Sequence, residues 1–208
     1  MADADRPQIY LITPPVFDAE VFPDRLKAVL DNHEIACIRL GLAARDEDAL
    51  SRAADVLREI AHTRDVALVI EDHVLLAQRL GLDGVHLTDT RKSIRKLRAE
   101  MGADAIIGAY CGVTRHDGLS AAEAGADYVA FGPIGPSPLG DGTSVDFDLF
   151  QWWSEMIEVP VVAEGALTTE LVERFAGVTD FFGVSTEIWA AGDASAALKA
   201  LLAPLAQA

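Results

Sequence analysis

The chain has 208 residues, of which 50% are hydrophobic, and a formal net charge of −16. This acidic balance argues against a basic surface for nucleic acid or anionic membranes. No apolar run approaches the roughly 20 residues that are needed to cross a bilayer. The N-terminus, Met1 to Pro7, is acidic and polar rather than signal-like, so we expect a cytoplasmic protein. Cys37 and Cys111 form no metal-binding pattern and are expected to be reduced core residues.

Eight short apolar runs predict eight β-strands. The runs are continuous rather than alternating, which is typical of parallel strands covered on both faces. The predicted strands are Gln8–Thr13, Ile35–Leu40, Val66–Ile70, Gly84–Leu87, Ala105–Ala109, Tyr128–Phe131, Val159–Ala163 and Phe181–Val184.

Helical patterns lie between these runs. The clearest is Asp46–His62, in which apolar residues recur at helical spacing after Asp46, a plausible N-cap. The other predicted helices are Val21–Asn32, Leu75–Leu80, Ser93–Met101, Arg115–Ala124, Asp146–Ile157, Thr169–Phe175 and Ala194–Leu205. Strands that alternate with helices in this way predict one (β/α)8 barrel domain over residues 1–208. An open doubly wound sheet is the alternative, but no GxGxxG motif follows the first strand.

The active site of a (β/α)8 barrel lies at the carboxyl ends of its strands. That rule turns the predicted strands into a set of candidate pocket residues. They are Arg39, Glu71, Asp72, Asp89, Tyr110, Ser137, Glu164, Ser185 and Glu187, with His86 inside its strand.

Several motifs, in order along the chain, resemble those of one family. They include Ile9-Tyr-Leu-Ile-Thr13, Ile70-Glu-Asp-His-Val74, Leu82-Asp-Gly-Val-His-Leu87, Phe131-Gly-Pro133 and Gly183-Val-Ser185. Together they resemble thiamine phosphate synthase and its relative, the thiazole tautomerase. The resemblance implies a reaction of thiamin biosynthesis or salvage in which a pyrimidine pyrophosphate is joined to a thiazole phosphate, pyrophosphate leaves and Mg²⁺ takes part.

The resemblance also implies site residues. Asp72 falls on a metal-binding aspartate of the family, and Asp89 lies two residues from the position of a second one. No catalytic residue is assigned. The implied substrate-binding positions, for a phosphorylated or heterocyclic ligand related to thiamin, are Arg39, Glu71, Tyr110, Ser137, Glu164, Gly165 and Ser185.

The chain departs from the family pattern at several charged positions, where two cations and one metal-binding carboxylate are missing. Gly41 and Gly140 stand where the family has lysines, Arg91 stands where it has the second metal aspartate, and Glu164 replaces an apolar residue. The tautomerase's catalytic histidine falls on Pro133. Because a leaving pyrophosphate needs cations around it, these changes predict a degenerate active site.

Each candidate residue has a second interpretation. Arg39 binds an anion, or it pairs with Glu71 or Asp72 across the mouth of the barrel. Asp72 and Asp89 bind Mg²⁺, or they cap the helices that follow them. His86 is better explained as a hydrogen-bonded residue of the barrel interior than as a general base.

The remaining candidates also allow two interpretations. Glu164 is also suited to selecting a cationic ligand such as a thiazolium. Tyr110 stacks on a flat heterocycle, or only fills the pocket.

Three hypotheses about function remain open. The chain is a transferase of the synthase type, a non-catalytic or regulatory barrel that binds a thiamin-related heterocycle, or an isomerase of different specificity on the same scaffold. The aromatic residues of the sixth predicted helix, which cannot all face one core, leave a homodimer open.

Overall fold

The computed structural model describes residues 6–43, 46–89, 93–136 and 142–206. Eight parallel strands close into a barrel in which each strand pairs with the next and β8 pairs with β1. The strands are β1 Gln8–Ile12, β2 Cys37–Leu40, β3 Ala67–Glu71, β4 Gly84–Leu87, β5 Ile106–Tyr110, β6 Tyr128–Phe131, β7 Val161–Glu164 and β8 Phe181–Val184. The predicted (β/α)8 fold is confirmed.

Helices surround the barrel. They are α1 Phe22–Leu30, α2 Glu47–His62, α3 Val74–Leu80, α4 Ile94–Met101, α5 Arg115–Glu123, α6 Phe147–Met156, α7 Thr169–Phe175, α8 Thr186–Trp189 and α9 Ala194–Leu201. The sequence did not predict the short α8. The last predicted helix was too long, because α9 ends at Leu201 and a 3-10 turn, Ala203–Ala206, follows it. Pro204 lies in this turn and lacks the N–H that an α-helix would need there.

The alternation of side chains along each strand builds two apolar layers. Ile9 and Leu11 point outward to the layer between the barrel and the helices, and Tyr10 points into the barrel. The inner cluster also holds Ile12, Cys37, Val69, Tyr128, Ala130 and Val162. Because both faces of every strand are buried, the strands have the continuous apolar runs seen in the sequence.

Aspartates just before three strands tie the barrel together. Asp83, Asp127 and Asp180 precede β4, β6 and β8. Their carboxylates accept hydrogen bonds from the backbone N–H of Leu68, Ile107 and Val161 on the neighbouring strand, at 2.7, 2.6 and 2.8 Å. These bonds lie at the amino ends of the strands, so they support the scaffold and leave the opposite end for a site.

The aromatic residues of α6 divide between two environments. Phe150 and Trp153 are fully buried in the apolar layer around the barrel. Phe147 and Trp152 are half-buried, and the guanidinium groups of Arg174 and Arg115 lie over their rings. The homodimer stays a prediction.

Cys37 and Cys111 are free and buried, and burial raises the pKa of each thiol to about 12, as expected of reduced core residues. Among the described residues, no helix is both long and apolar enough to span a membrane.

Candidate functional site

The carboxyl ends of the strands bring five of the predicted residues to one mouth. Arg39 lies on β2, Glu71 ends β3, His86 lies on β4, Tyr110 ends β5 and Glu164 ends β7. The strand register pairs Glu71 with His86. It also pairs Arg39 with Val69, which lies two residues before Glu71 and therefore on the same side of β3. The ring of strands thus places one guanidinium, one imidazole and two carboxylates around the barrel axis.

Arg39 is held by two carboxylates. Its Nη1 donates to Glu164 Oε2 at 2.9 Å and its Nη2 to Glu164 Oε1 at 3.1 Å, a bidentate pair. Its Nε lies 3.0 Å from Glu71 Oε1, an ion pair without the alignment of a hydrogen bond. Arg39 is 6% exposed and Glu164 is 8% exposed. The predicted partner Glu71 is therefore confirmed, and the sequence missed the stronger partner, Glu164.

Two carboxylates, Glu71 and Glu164, against one guanidinium, Arg39, give this cluster a negative formal charge. Burial disfavours the charged form of Arg39, but the charges of Glu164 and Glu71 outweigh it and raise the pKa of the guanidinium above its usual value. Burial raises the pKa of Glu71, and the charge of Arg39 partly offsets that rise. With one cation between two carboxylates, the cluster has no positive charge left for an external anion.

A hydrogen-bond chain runs from Arg39 into the barrel. Nη1 of Arg39 also lies 2.9 Å from Nε2 of His86, whose Nδ1 lies 2.9 Å from the hydroxyl of Tyr128. The Tyr128 hydroxyl lies 2.5 Å from that of Tyr10. Because a guanidinium only donates, Nε2 of His86 accepts and Nδ1 carries the proton. Tyr128 therefore accepts from His86, and its hydroxyl shares a further hydrogen bond with that of Tyr10.

His86 is the interior, hydrogen-bonded residue that the sequence predicted. It is 1% exposed, and burial, helped by the nearby charge of Arg39, lowers its pKa well below the ordinary value. A neutral imidazole is also what the chain of donors requires. His86 is thus suited to orienting Arg39, and as a neutral imidazole it is a poor general acid at neutral pH.

This assignment predicts a pH dependence of stability. The unfolded chain takes up a proton on His86 below about pH 6.5, and the folded chain does not, so the folded state loses stability as pH falls. Between about pH 6.5 and pH 5, the free energy of unfolding should fall more steeply than in a His86→Gln variant, by up to about 1.4 kcal/mol per pH unit. Urea unfolding at several pH values measures both slopes, and equal slopes would contradict a neutral His86.

Glu71 occupies space that a side chain at position 41 would need. A Cβ added to Gly41 would lie 2.9 Å from Glu71 Oε1. The glycine therefore lets the Glu71 carboxylate approach Arg39. Gly41 and the ion pair between Glu71 and Arg39 are thus two parts of one arrangement.

Tyr110 lies half-buried beside this cluster. Its hydroxyl donates to the carbonyl of Gly132 at 2.6 Å, which ties β5 to the loop after β6. Burial raises the pKa of the phenol. The ring is held in place at the mouth, as stacking on a heterocycle would require, and that role stays a prediction.

The predicted metal residues lie at the ends of β3 and β4. Asp72 has left-handed backbone (φ 58°), and its carboxylate accepts from the hydroxyl of Thr88. Asp89 is half-buried one residue further on. Within the described ranges, no group of three His, Cys, Asp or Glu side chains could hold a metal ion. Mg²⁺ commonly uses one or two carboxylates with water and substrate phosphates, so Asp72 and Asp89 fit it only when the substrate supplies further oxygens.

The loops after β7 and β8 carry the positions predicted to hold a phosphate. Gly165 and Ala166 both have positive φ, 87° and 55°. The carboxylate of Glu187 on α8 accepts from the N–H of Leu167 at 3.1 Å and from that of Ser185 at 2.8 Å. The Ser185 N–H is thus already bonded within the chain. The sequence named Glu187 as a strand-end candidate and gave it no role, because α8 itself was not predicted.

Three further positions cannot be placed at the mouth. Ser137, Arg91 and Gly140 lie outside the described residues.

Comparison with known proteins identifies relatives over most of the chain. The family model described as "Thiamine monophosphate synthase" matches residues 9–186. A protein named thiamine-phosphate synthase from Rhodospirillum centenum is 42% identical over 184 residues, which cover 88% of this chain and 89% of the relative. A protein of the same name from Erythrobacter litoralis is 37% identical over 100% of both chains. The solved structure of thiamine phosphate pyrophosphorylase from Pyrococcus furiosus shares the fold, with a TM-score of 0.81, 21% identity and 96% coverage of each chain.

Proposed function

We propose, because this chain belongs to the thiamine monophosphate synthase family, that it serves thiamin biosynthesis or salvage by binding a thiamin-related heterocycle at the mouth of its barrel. The family implies that the ligand is a thiamin-related heterocycle, and the side chains at the mouth of this barrel are suited to binding one. The half-buried Tyr110 offers an aromatic surface, and the Glu71–Arg39–Glu164 cluster offers carboxylate oxygens to a ring nitrogen or an amine.

The proposal includes a greatly reduced rate for the family's pyrophosphate coupling. The observation that carries it is the bidentate pair between Arg39 and Glu164, which occupies the guanidinium on its two terminal nitrogens. A contact between a charged donor and a phosphate is worth about 2 kcal/mol, so a missing one costs more than tenfold in rate. Gly41 and Gly140 remove two lysines as well, and the combined loss is several orders of magnitude.

The proposed protein acts in the cytoplasm as a homodimer and uses Mg²⁺. Asp72 and Asp89 would hold the Mg²⁺, with water and ligand oxygens completing its coordination. Small molecules are the proposed ligands, and neither nucleic acid nor membrane is.

Turnover of the two family substrates tests the reduced rate. We expect coupled product to form at least about 100-fold more slowly than with the Rhodospirillum centenum relative, assayed in parallel with Mg²⁺, since two or more phosphate contacts are missing. Equal turnover would contradict the degenerate site. Calorimetric titration with the thiazole alcohol, thiazole phosphate, the pyrimidine alcohol and thiamin tests the binding role, which fails if none of the four binds.

A further inference from the structure

We infer that Glu164 and Glu187 determine the class of ligand at this mouth: each supplies from within the chain the oxygens that a ligand phosphate would supply, so the site takes an unphosphorylated, neutral or cationic heterocycle. This inference rests on the proposed function, since it specifies which thiamin-related ring the mouth accepts. The two carboxylates act as specificity-determining groups, and neither is assigned a chemical step.

The first carboxylate, that of Glu164, accepts hydrogen bonds from both terminal nitrogens of Arg39. Arg39 presents two parallel N–H donors, the geometry that carboxylates and phosphates share. Glu164 takes both of them, and the side chains of the pair are only 7% and 11% exposed. An incoming phosphate would have to displace a carboxylate that is already bound, buried and tethered to β7. That displacement would leave Glu164 as an unpaired buried charge.

Glu164 is also fixed in position. A Cβ on Gly183 of β8 would lie 2.7 Å from Glu164 Cβ, and one on Gly132 would lie 3.0 Å from Glu164 Cγ. The two glycines thus form a close-fitting seat for the glutamate side chain. These contacts hold the base of the side chain, and the bidentate pair with Arg39 holds its carboxylate.

The second carboxylate, that of Glu187, accepts hydrogen bonds from two backbone amides. The N–H groups of Leu167 and Ser185 come from the loops after β7 and β8, and both donate to Glu187. In (β/α)8 barrels these two loops and a short extra helix often bind a phosphate. In this chain the extra helix, α8, contributes the anion itself. Two independent groups of donors, one a side chain and one backbone, are therefore both bonded to internal carboxylates.

The charges complete the selection. Glu71 adds a second carboxylate beside Arg39, so an anionic ligand meets repulsion as well as occupied donors. A neutral ring meets neither, and a cationic ring gains attraction. The mouth therefore discriminates by charge, and the phosphate group of the family's thiazole substrate is the feature it rejects.

Calorimetric titration of the full chain with thiazole alcohol, thiazole phosphate and inorganic phosphate tests the inference. The unmodified protein should bind the alcohol at least as tightly as the phosphate. Glu187→Ala and Glu164→Ala should each shift the preference toward the thiazole phosphate by about tenfold, because charge-assisted donors become available. Glu173→Ala, at an exposed position of α7, removes one charge without touching either group of donors and should leave the preference unchanged.

The outcomes are distinguishable. If the alcohol binds and neither glutamate variant shifts the preference, the inference is overturned and the proposed function stands. If none of thiazole alcohol, thiazole phosphate, the pyrimidine alcohol and thiamin binds, the proposed function fails and the inference fails with it. Should Glu164→Ala not fold, Glu164→Gln and Glu187→Ala carry the same comparison, with circular dichroism as the check on folding.

Discussion

Replacing Arg39 by methionine is expected to lower the free energy of unfolding by about 3–5 kcal/mol, the cost of leaving a buried charge without its partner. Glu164 is 8% exposed and loses both of its donors, and Glu71 loses its ion pair. Since a domain is usually stable by only about 5–15 kcal/mol, this one change removes a large share of the stability of the protein. Urea unfolding followed by circular dichroism measures the loss.

A matched control separates burial from charge. Arg79→Ala removes an arginine whose pair with Glu47 is exposed, with side-chain exposures of 56% and 71%, and should cost no more than about 1 kcal/mol. The double variant Arg39→Met/Glu164→Met should recover part of the loss, because it removes the unpaired carboxylate as well. A loss below about 1 kcal/mol for Arg39→Met alone would show that the pair is not buried in solution.

Replacing Trp153 by alanine is expected to cost about 3–5 kcal/mol through the cavity it leaves. Trp153 is 1% exposed, its ring packs edge-on against Phe131 at 5.1 Å between centroids, and its Nε1 donates to the carbonyl of Val159 at 2.8 Å. The adjacent Trp152 is half-buried under Arg115, so Trp152→Ala should cost clearly less, about 1 kcal/mol. Thermal and urea unfolding of the two variants measure the difference.

The same pair of variants bears on the predicted homodimer. If Trp152→Ala costs as much as Trp153→Ala, the half-buried ring of Trp152 must be covered by a second copy of the chain, and α6 would have no partly exposed aromatic face in solution. Unfolding measured at two protein concentrations distinguishes the cases, because the stability of a dimer rises with concentration.

The fold was predictable because strands that are buried on both faces have continuous apolar runs in the sequence. The runs at Val66–Ile70 and Val159–Ala163 have no polar face, which is typical of parallel strands covered on both faces. The short α8 left no such trace, since four residues make little more than one turn and show no periodicity. The end of α9 was signalled by Pro204, yet the apolar residues around it suggested a longer helix.

The residues of the site were more predictable than their partners. The strand-end rule named Arg39, Glu71 and Glu164, but sequence places the last of these 125 residues from Arg39. The rule puts strand ends on one ring and does not say which side chains meet across it. Long side chains such as Arg39 reach over the axis, so partners depend on length and direction as well as on strand order.

The partners of His86 and Glu187 were hidden for related reasons. In sequence, Tyr128 looks like one more apolar strand residue, and its bond to His86 follows from the two strands' inward-facing positions. Glu187 lies on the helix that was not predicted, so its two backbone donors had no visible connection to it.

The specificity of this mouth depends on internal carboxylates that occupy its anion-binding groups. Titration of the unmodified chain with thiazole phosphate and thiazole alcohol, under the same conditions, tests that dependence most directly. We expect the alcohol to bind at least as tightly as the phosphate. A phosphate that binds about tenfold more tightly, or better, would show that Arg39 and the amides of Leu167 and Ser185 are open to an external anion, and the internal carboxylates would then not be what sets the choice of ligand.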